Sequence, residues 1–395
     1  LRALTAGAQA RVGTMGKDLV IDPRPRRIGM SHGLLEREQD GDLLLHRLPS
    51  FYCPIEPAVS PAAARAEMAV LDWADRFSLY ESAAQRDYLG KAHFPLFPAM
   101  SLPDADPDLL ALAGMEVMWL QSFDDVFSDE RADAMPLQDY VVLLGKLARM
   151  LEEPDCDLLP GHRWAAALQD MHRAIASHAG PVQLDRWVRA HIDYFDGLLW
   201  EAARRLDRGP ASLDDYVSMW LKQSGVYPCI AFTDLACGYE VPASSWCSAS
   251  LRKLREMTSA IIGWDNDLTS YNKEVHRASV HRFPAIQNLV SAIAAERRCP
   301  VEEAAALAGA MRDHAMVRFL DLRDTLVPDA DPETARYVRG LGQWIRGYLD
   351  YSARSPRYTD PFGGRTESGF GWTISDRPGP VPVDLPAPAA LASWW

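Results

Sequence analysis

The 395-residue sequence predicts an all-α protein of roughly ten to twelve helices with little sheet. Three observations carry that expectation. Apolar residues recur at spacings of three and four over long stretches, helix-start signals precede several of them, and no alternating β pattern or Asn-Gly hairpin interrupts them.

The periodic stretches come in order. "LLALAGMEVMWLQSF" (109–123) and "YVVLLGKLARMLEE" (140–153) each keep an apolar face through several turns, and "LDRWVRAHIDYFDGLLWEAARRL" (184–206) does so at greater length. "PASLDDYVSMWL" offers Ser212 as a cap before two acids, which the positive end of a helix favours. "CPVEEAAALAGAMRDHAMVRFLDL" opens on Pro300 with acids in its first turn, and "TARYVRGLGQWIRGYLDYSA" (334–353) closes the series. No fixed-period repeat is present, which argues against a solenoid.

With 48% hydrophobic and 24% charged residues the chain can bury a large core, and its length lies between one big domain and two ordinary ones. We expect one helical domain over 49–358. Residues 1–48 are polar and irregular and read as a flexible arm. Residues 359–395, ending in "SDRPGPVPVDLPAPAALASWW", read as a flexible Pro/Gly-rich tail.

The net charge of -13 and the lack of a basic patch exclude a general nucleic-acid binder. Six scattered cysteines without Cys-x-x-Cys spacing read as reduced thiols of a cytoplasmic protein. No run approaches the roughly 18 apolar residues of a membrane span, so no stable membrane insertion is expected. The N-terminus lacks the compact apolar core of a signal peptide.

Two polar clusters stand out. In "IIGWDNDLTSYNKE" (261–274), Asn266, Ser270 and Glu274 stand four apart. Each such step turns a helical side chain by only about 40°, so three oxygen-bearing groups share one stripe. A stripe of that kind faces water or holds a cation. The second cluster, "SFDDVFSDE" (122–130), crowds Asp124, Asp125 and Asp129 at the C-terminal end of an apolar helix. Like charges there cost a few tenths of a kcal/mol each, and the helix dipole adds to the penalty. A cation would remove it. Hard divalent ions suit these donors, because Mg2+ takes carboxylate, hydroxyl and amide oxygens and leaves part of its shell for phosphates. The bland reading of adjacent acids is a solvated face.

At these positions the chain resembles the bacterial class I terpene synthases. "NDLTSYNKE" (266–274) resembles their Asn/Ser/Glu magnesium motif at every defined position, and "DDVFSD" (124–129) their aspartate-rich motif. "YSARSPRY" (351–358) places Arg357 and Tyr358 like the Arg-Tyr pair that contacts the diphosphate. The resemblance covers most of 51–358, with "FYCPIEP" and "LDWADRFSLY" at its start.

The resemblance implies an α-helical bundle around a central active-site cavity. It implies three Mg2+ ions, with Mn2+ as a substitute: Asp124 ligates two of them, while Asn266, Ser270 and Glu274 hold the third. Asp125 is either a further ligand or an anchor for a neighbouring Arg, and Asp129 sits one residue later than in the five-residue form of the motif. Arg357, Tyr358 and Lys273 would bind the diphosphate. Phe123, Phe127, Trp220, Trp344 and Tyr351 are candidate cavity walls, each with ordinary core packing as the alternative, and a helix bend is expected near Ser224 and Gly225. One departure stands out: Trp220 occupies the position, 46 residues before Asn266, where bacterial members carry a diphosphate-sensing arginine. Either Lys222 or another cation substitutes, or ionisation depends more on the metals and Arg357.

The implied activity is Mg-dependent ionisation and cyclisation of a prenyl diphosphate with release of diphosphate. Farnesyl diphosphate is the leading substrate. A monoterpene-type cyclase acting on geranyl or 2-methylgeranyl diphosphate is the second reading, because "YPCIAFTDLACGYEVPASSW" (227–246) resembles the 2-methylisoborneol synthases; a diterpene cyclase is the third. A prenyl-chain elongase would carry a second aspartate-rich motif where the Asn/Ser/Glu set stands. The reading from a different class is a non-catalytic helical interaction protein. A homodimer is compatible with either.

Overall fold

The apolar-periodic stretches fold as helices in the order expected. The computed structural model describes residues 44–128, 135–207, 211–281, 286–359 and 372–395. The helices are α1 (Ala63–Phe77), α2 (Ala83–Lys91), α3 (Leu96–Ser101), α4 (Pro107–Phe123), α5 (Leu137–Glu152), α6 (Arg163–Ala176), α7 (Pro181–Arg204) and α8 (Leu213–Gln223). There follow α9 (Val226–Ile230), α10 (Phe232–Leu235), α11 (Ala243–Trp246), α12 (Ala249–His281), α13 (Leu289–Arg297), α14 (Val301–Leu326), α15 (Pro332–Ser352) and α16 (Pro356–Thr359). Among the described residues, sheet is confined to one parallel pair of two-residue strands, β1 (Phe51–Tyr52) and β2 (Ile374–Ser375).

Local chemistry sets where helices begin. Ser212 accepts from the Asp215 N–H at 3.1 Å to cap α8, and Asp106, followed by Pro107, accepts from Asp108 and Leu109 to cap α4. Pro300 precedes α14, whose first turn carries Glu302 and Glu303. Burial then arranges the helices. α4 is buried on most of its circumference and runs through the interior. α12, the longest of the described helices, packs against α8, α13, α14 and α15.

Buried charges in this core are paired. Arg312 of α14, fully buried, donates to Asp265 of α12 at 2.6 Å. Between α4 and α7, Trp187 donates to Glu116 at 2.9 Å, and His191 Nε2 lies 3.1 Å from the same carboxylate. Unpaired, the Arg312 guanidinium and the Asp265 and Glu116 carboxylates would each cost several kcal/mol.

The ends differ from expectation. Residues 1–43 lie outside the described residues, but the last part of the expected arm is docked: Leu45 and Leu48 are buried, and the Asn272 side chain exchanges two 2.9 Å hydrogen bonds with the Leu45 backbone. The described part of the expected flexible tail, 372–395, also packs on the bundle. Trp394 is buried and stacks on Trp264 at 6.5 Å, and its carbonyl accepts from Arg318. Pro and Gly prevent long regular elements there, as expected. They do not prevent burial, because an indole gains enough apolar contact to anchor irregular backbone. No helix among the described residues is long and apolar enough to cross a membrane.

Candidate active site

The stripe on α12 has the geometry its spacing implies. Ser270 donates to Glu274 Oε1 in a short hydrogen bond. Asn288 Nδ2 donates to Glu274 Oε2 at 2.9 Å. Asn266 Nδ2 donates to two tyrosines, Tyr348 of α15 at 2.9 Å and Tyr358 of α16 at 3.0 Å. Because the amide nitrogen is committed to those hydroxyls, the amide oxygen is the atom left to ligate a cation.

The acids flanking Asn266 point elsewhere. Asp265 pairs with Arg312 on one side. On the other, Asp267 accepts from Tyr216 at 2.5 Å and from the Leu289 N–H at 3.1 Å. Burial, then the nearby Glu274, pushes the Asp267 carboxyl well above the usual carboxylate range. Successive helical side chains diverge by about 100°, so three consecutive polar residues serve three separate functions.

The aspartate segment is less regular. α4 gives way at Asp124 to a single π-helical turn, Asp124–Ser128, the kind of wide turn that re-aims side chains at functional sites. Asp124 reaches the cavity. Asp125 turns to cations instead: Arg357 Nη1 lies 3.4 Å from its carboxylate and Arg277 Nη2 lies 3.7 Å away. Burial alone would raise the Asp125 carboxyl, but Arg357, then Arg277 and Lys273, outweigh it and hold it below its ordinary value. Asp129 falls outside the described residues.

Between the two segments lies a cavity of about 150 Å³. Its wall includes Asp124, Asn266, Lys273, Glu274, Arg277, Arg357 and Tyr358, together with Trp220, Ser224 and Tyr351. Arg357 and Lys273 are nearly buried. Arg357 also donates to the Tyr88 hydroxyl at 2.7 Å, and the Lys273 ammonium stands 5.9 Å from the Tyr358 ring centroid.

Three aromatic candidates are not on this wall. Phe123 stacks on Trp119 at 4.7 Å, Phe127 meets Trp164 edge-on at 5.0 Å, and Trp344 donates to Thr233 at 3.0 Å within the core. Phe94, Phe97 and Tyr194 line the cavity in their place. Phe123 and Phe127 lie beside the aspartates in sequence, but the helix turns them to the opposite side.

α8 stops at Gln223 and α9 starts at Val226, with Gly225 at φ +70, so the bend falls at Ser224 and Gly225 as expected. Only glycine adopts that φ without strain. Trp220 stacks on Tyr216 at 5.6 Å, and its indole edge fills the space that a side chain at Gly263 would occupy: a Cβ there would lie 2.0 Å from Trp220 Nε1. Lys222 does not replace the missing arginine. It pairs with Asp193 at 3.1 Å and Asp196 at 3.5 Å on another face. Among the polar cavity residues that the sequence does not single out are Arg277 of α12, one turn beyond Lys273, and Glu201 and Arg205 from the end of α7 and the turn after it. Tyr348 was also missed, although it stands three residues before Tyr351 and so shares its side of α15.

Residues 117–318 match the family described as "Terpene synthase family 2, C-terminal metal binding". The chain is similar to bonnadiene synthase of Allokutzneria albata, with 35% identity over 359 residues that cover 88% of this chain and 97% of that protein. It is 31% identical over 349 residues to a (+)-T-muurolol synthase of Streptomyces clavuligerus described as (2E,6E)-farnesyl diphosphate cyclizing, covering 87% of this chain and 81% of that protein. Among solved structures it is similar to the SVS_A2 protein from ancestral sequence reconstruction, at a TM-score of 0.73 and 30% identity, covering 88% of this chain and 98% of the other.

Proposed function

This chain belongs to the terpene synthase family, and we propose that it ionises and cyclises farnesyl diphosphate to a sesquiterpene with three Mg2+ ions, for which Mn2+ can substitute. The observation that carries the reading is one cavity whose wall joins Asp124 to the Asn266 and Glu274 stripe, with Lys273, Arg357 and Tyr358 beside them. The farnesyl chain is supported by the T-muurolol synthase, a relative whose name states that substrate.

The donor set fits a hard cation. Asp124 offers a carboxylate on the same cavity wall as the Asn266 amide oxygen and the Glu274 carboxylate of α12, and Ser270, buried behind that wall, donates to Glu274 and adds a hydroxyl beside it. Mg2+, when bound, supplies positive charge that neutralises the departing diphosphate. The chain's own cations act with it. Arg357, Lys273 and Arg277 donate to diphosphate oxygens, and Tyr358 adds a hydroxyl. Asp125 holds Arg357 in place for that task and is an anchor rather than a ligand. Phe94, Phe97, Tyr351 and Trp220 line the cavity, exclude water and offer aromatic surface to the hydrocarbon, each able to steady a carbocation by about 0.5–2 kcal/mol. The six unpaired cysteines support a reducing, cytoplasmic location.

Incubation with ten-carbon, methylated ten-carbon, fifteen-carbon and twenty-carbon prenyl diphosphates plus Mg2+, followed by mass spectrometry of the volatiles, tests the proposal. A cyclic fifteen-carbon product is expected. Turnover of another chain length alone would reassign the substrate, and no product from any of them would remove the enzymatic reading.

A further inference from the structure

Trp220 leaves the α8 wall of the cavity without the cation expected there. Its indole lies flat on Tyr216 with its edge against Gly263. Lys222, the nearest basic residue in sequence, is held by two aspartates outside the cavity. Charged groups at the end of α7 and in the turn after it line the same cavity as Trp220. Arg205 lines the cavity together with Asp124, and its Nη2 is 2.9 Å from Glu201 Oε2. That same oxygen accepts from Gln223 Nε2 at 3.1 Å. Gln223 is the last residue of α8, immediately before the bend at Ser224 and Gly225.

We propose that Arg205 is a diphosphate-binding residue of this enzyme, supplying from the turn after α7 the cavity cation that Trp220 does not provide, with Glu201 as the positioning residue that fixes its guanidinium and ties it to the bend through Gln223. The proposal rests on the terpene synthase reading. The geometry suits the task in three ways. A guanidinium has five donors, so it can keep Glu201 and still present a fork to phosphate oxygens. Burial alone would weaken the charge, but the Glu201 carboxylate 2.9 Å away outweighs it and raises the guanidinium above its ordinary value. Finally, Glu201 links the residue that meets the anion to the end of the helix where the cavity wall changes direction, so diphosphate binding and the setting of the bend share one hydrogen-bonded chain.

Calorimetric titration of the full chain with inorganic pyrophosphate in excess Mg2+ tests this without turnover. Arg205→Gln should weaken pyrophosphate binding by about tenfold to a hundredfold, the loss of one or two charge-assisted hydrogen bonds. Lys222→Gln should bind as the wild type does. Melting curves without ligand check that the variants fold; if Arg205→Gln does not, Arg205→Met, which retains the apolar stem, is read by the same criterion. Wild-type affinity in a folded Arg205 variant overturns this proposal alone. A wild-type chain that does not bind magnesium pyrophosphate overturns it together with the terpene synthase reading.

Discussion

The two oxygen-bearing segments of the cavity are built on different principles. The α12 stripe sits in an unbroken helix, where spacing of four sets the row and Ser270 already bonds Glu274. The aspartate segment sits where α4 unwinds into a π turn, and its two carboxylates diverge, Asp124 toward the cavity and Asp125 toward Arg357 and Arg277. One wall takes its spacing from its own helix, with Tyr348, Tyr358 and Asn288 steadying Asn266 and Glu274. The other is organised by residues far away in sequence, and substitutions in the two walls should therefore differ in kind.

The largest effect is expected on the stripe. Glu274→Gln should lower turnover by about a hundredfold to a thousandfold, the scale of losing a preorganised electrostatic group at a reacting centre. Steady-state product formation within about tenfold of wild type would break the assignment of this wall. Asp125→Asn comes next, with a loss of about tenfold or somewhat more, because it weakens the hold on Arg357 and leaves the stripe and Asp124 in place. Equal losses in Asp125→Asn and Glu274→Gln would make Asp125 a ligand and erase the contrast.

Tyr348→Phe sharpens the same comparison from the α15 side. Asn266 would keep its bond to Tyr358 but lose one of its two amide anchors, so the apparent Mg2+ affinity should fall by about threefold to tenfold, read from the metal dependence of turnover. Unchanged metal dependence would show that the helix alone orients the amide.

The smallest effect gives a baseline for a purely structural change. Asp331 caps α15 far from either wall, accepting from the Thr334 N–H at 2.8 Å. Asp331→Ala should cost about 1 kcal/mol of stability with turnover unchanged. Burial would raise the Asp331 carboxyl, but bonds from Thr334 and Ser245 outweigh it and hold it low. A carboxyl with a depressed folded pKa stabilises above its unfolded value of about 3.9, and that stabilisation is lost as pH falls through the lower folded value. The gap in melting temperature between wild type and Asp331→Ala should therefore narrow in acid. A constant gap down to about pH 2 would rule out the ionised cap as its source.

Much of the site could be read from the chain because its signals are local. The stripe needed only its spacing, and the bend expected from the family resemblance falls at Ser224 and Gly225, just after a capped helix. Where reading failed, proximity in sequence had been taken for proximity in space. Phe123 and Phe127 flank the aspartates yet pack against Trp119 and Trp164, and Lys222 neighbours Trp220 but faces away from the cavity. Glu201 and Arg205 went unnoticed because at the end of a long amphipathic helix an acid and a base four apart look like an ordinary surface pair. The docked Trp394 was hidden by a composition that otherwise reads as a tail.

By itself the amino-acid sequence determined the helical class, the order of the helices and the row formed by Asn266, Ser270 and Glu274, since turn periodicity and capping act over a few residues. Only tertiary structure decided what that row faces. Asn266 meets Tyr348 across 82 positions of chain and Arg357 meets Asp125 across 232. Such pairings are set by how whole helix faces bury against one another, and no local pattern encodes that choice.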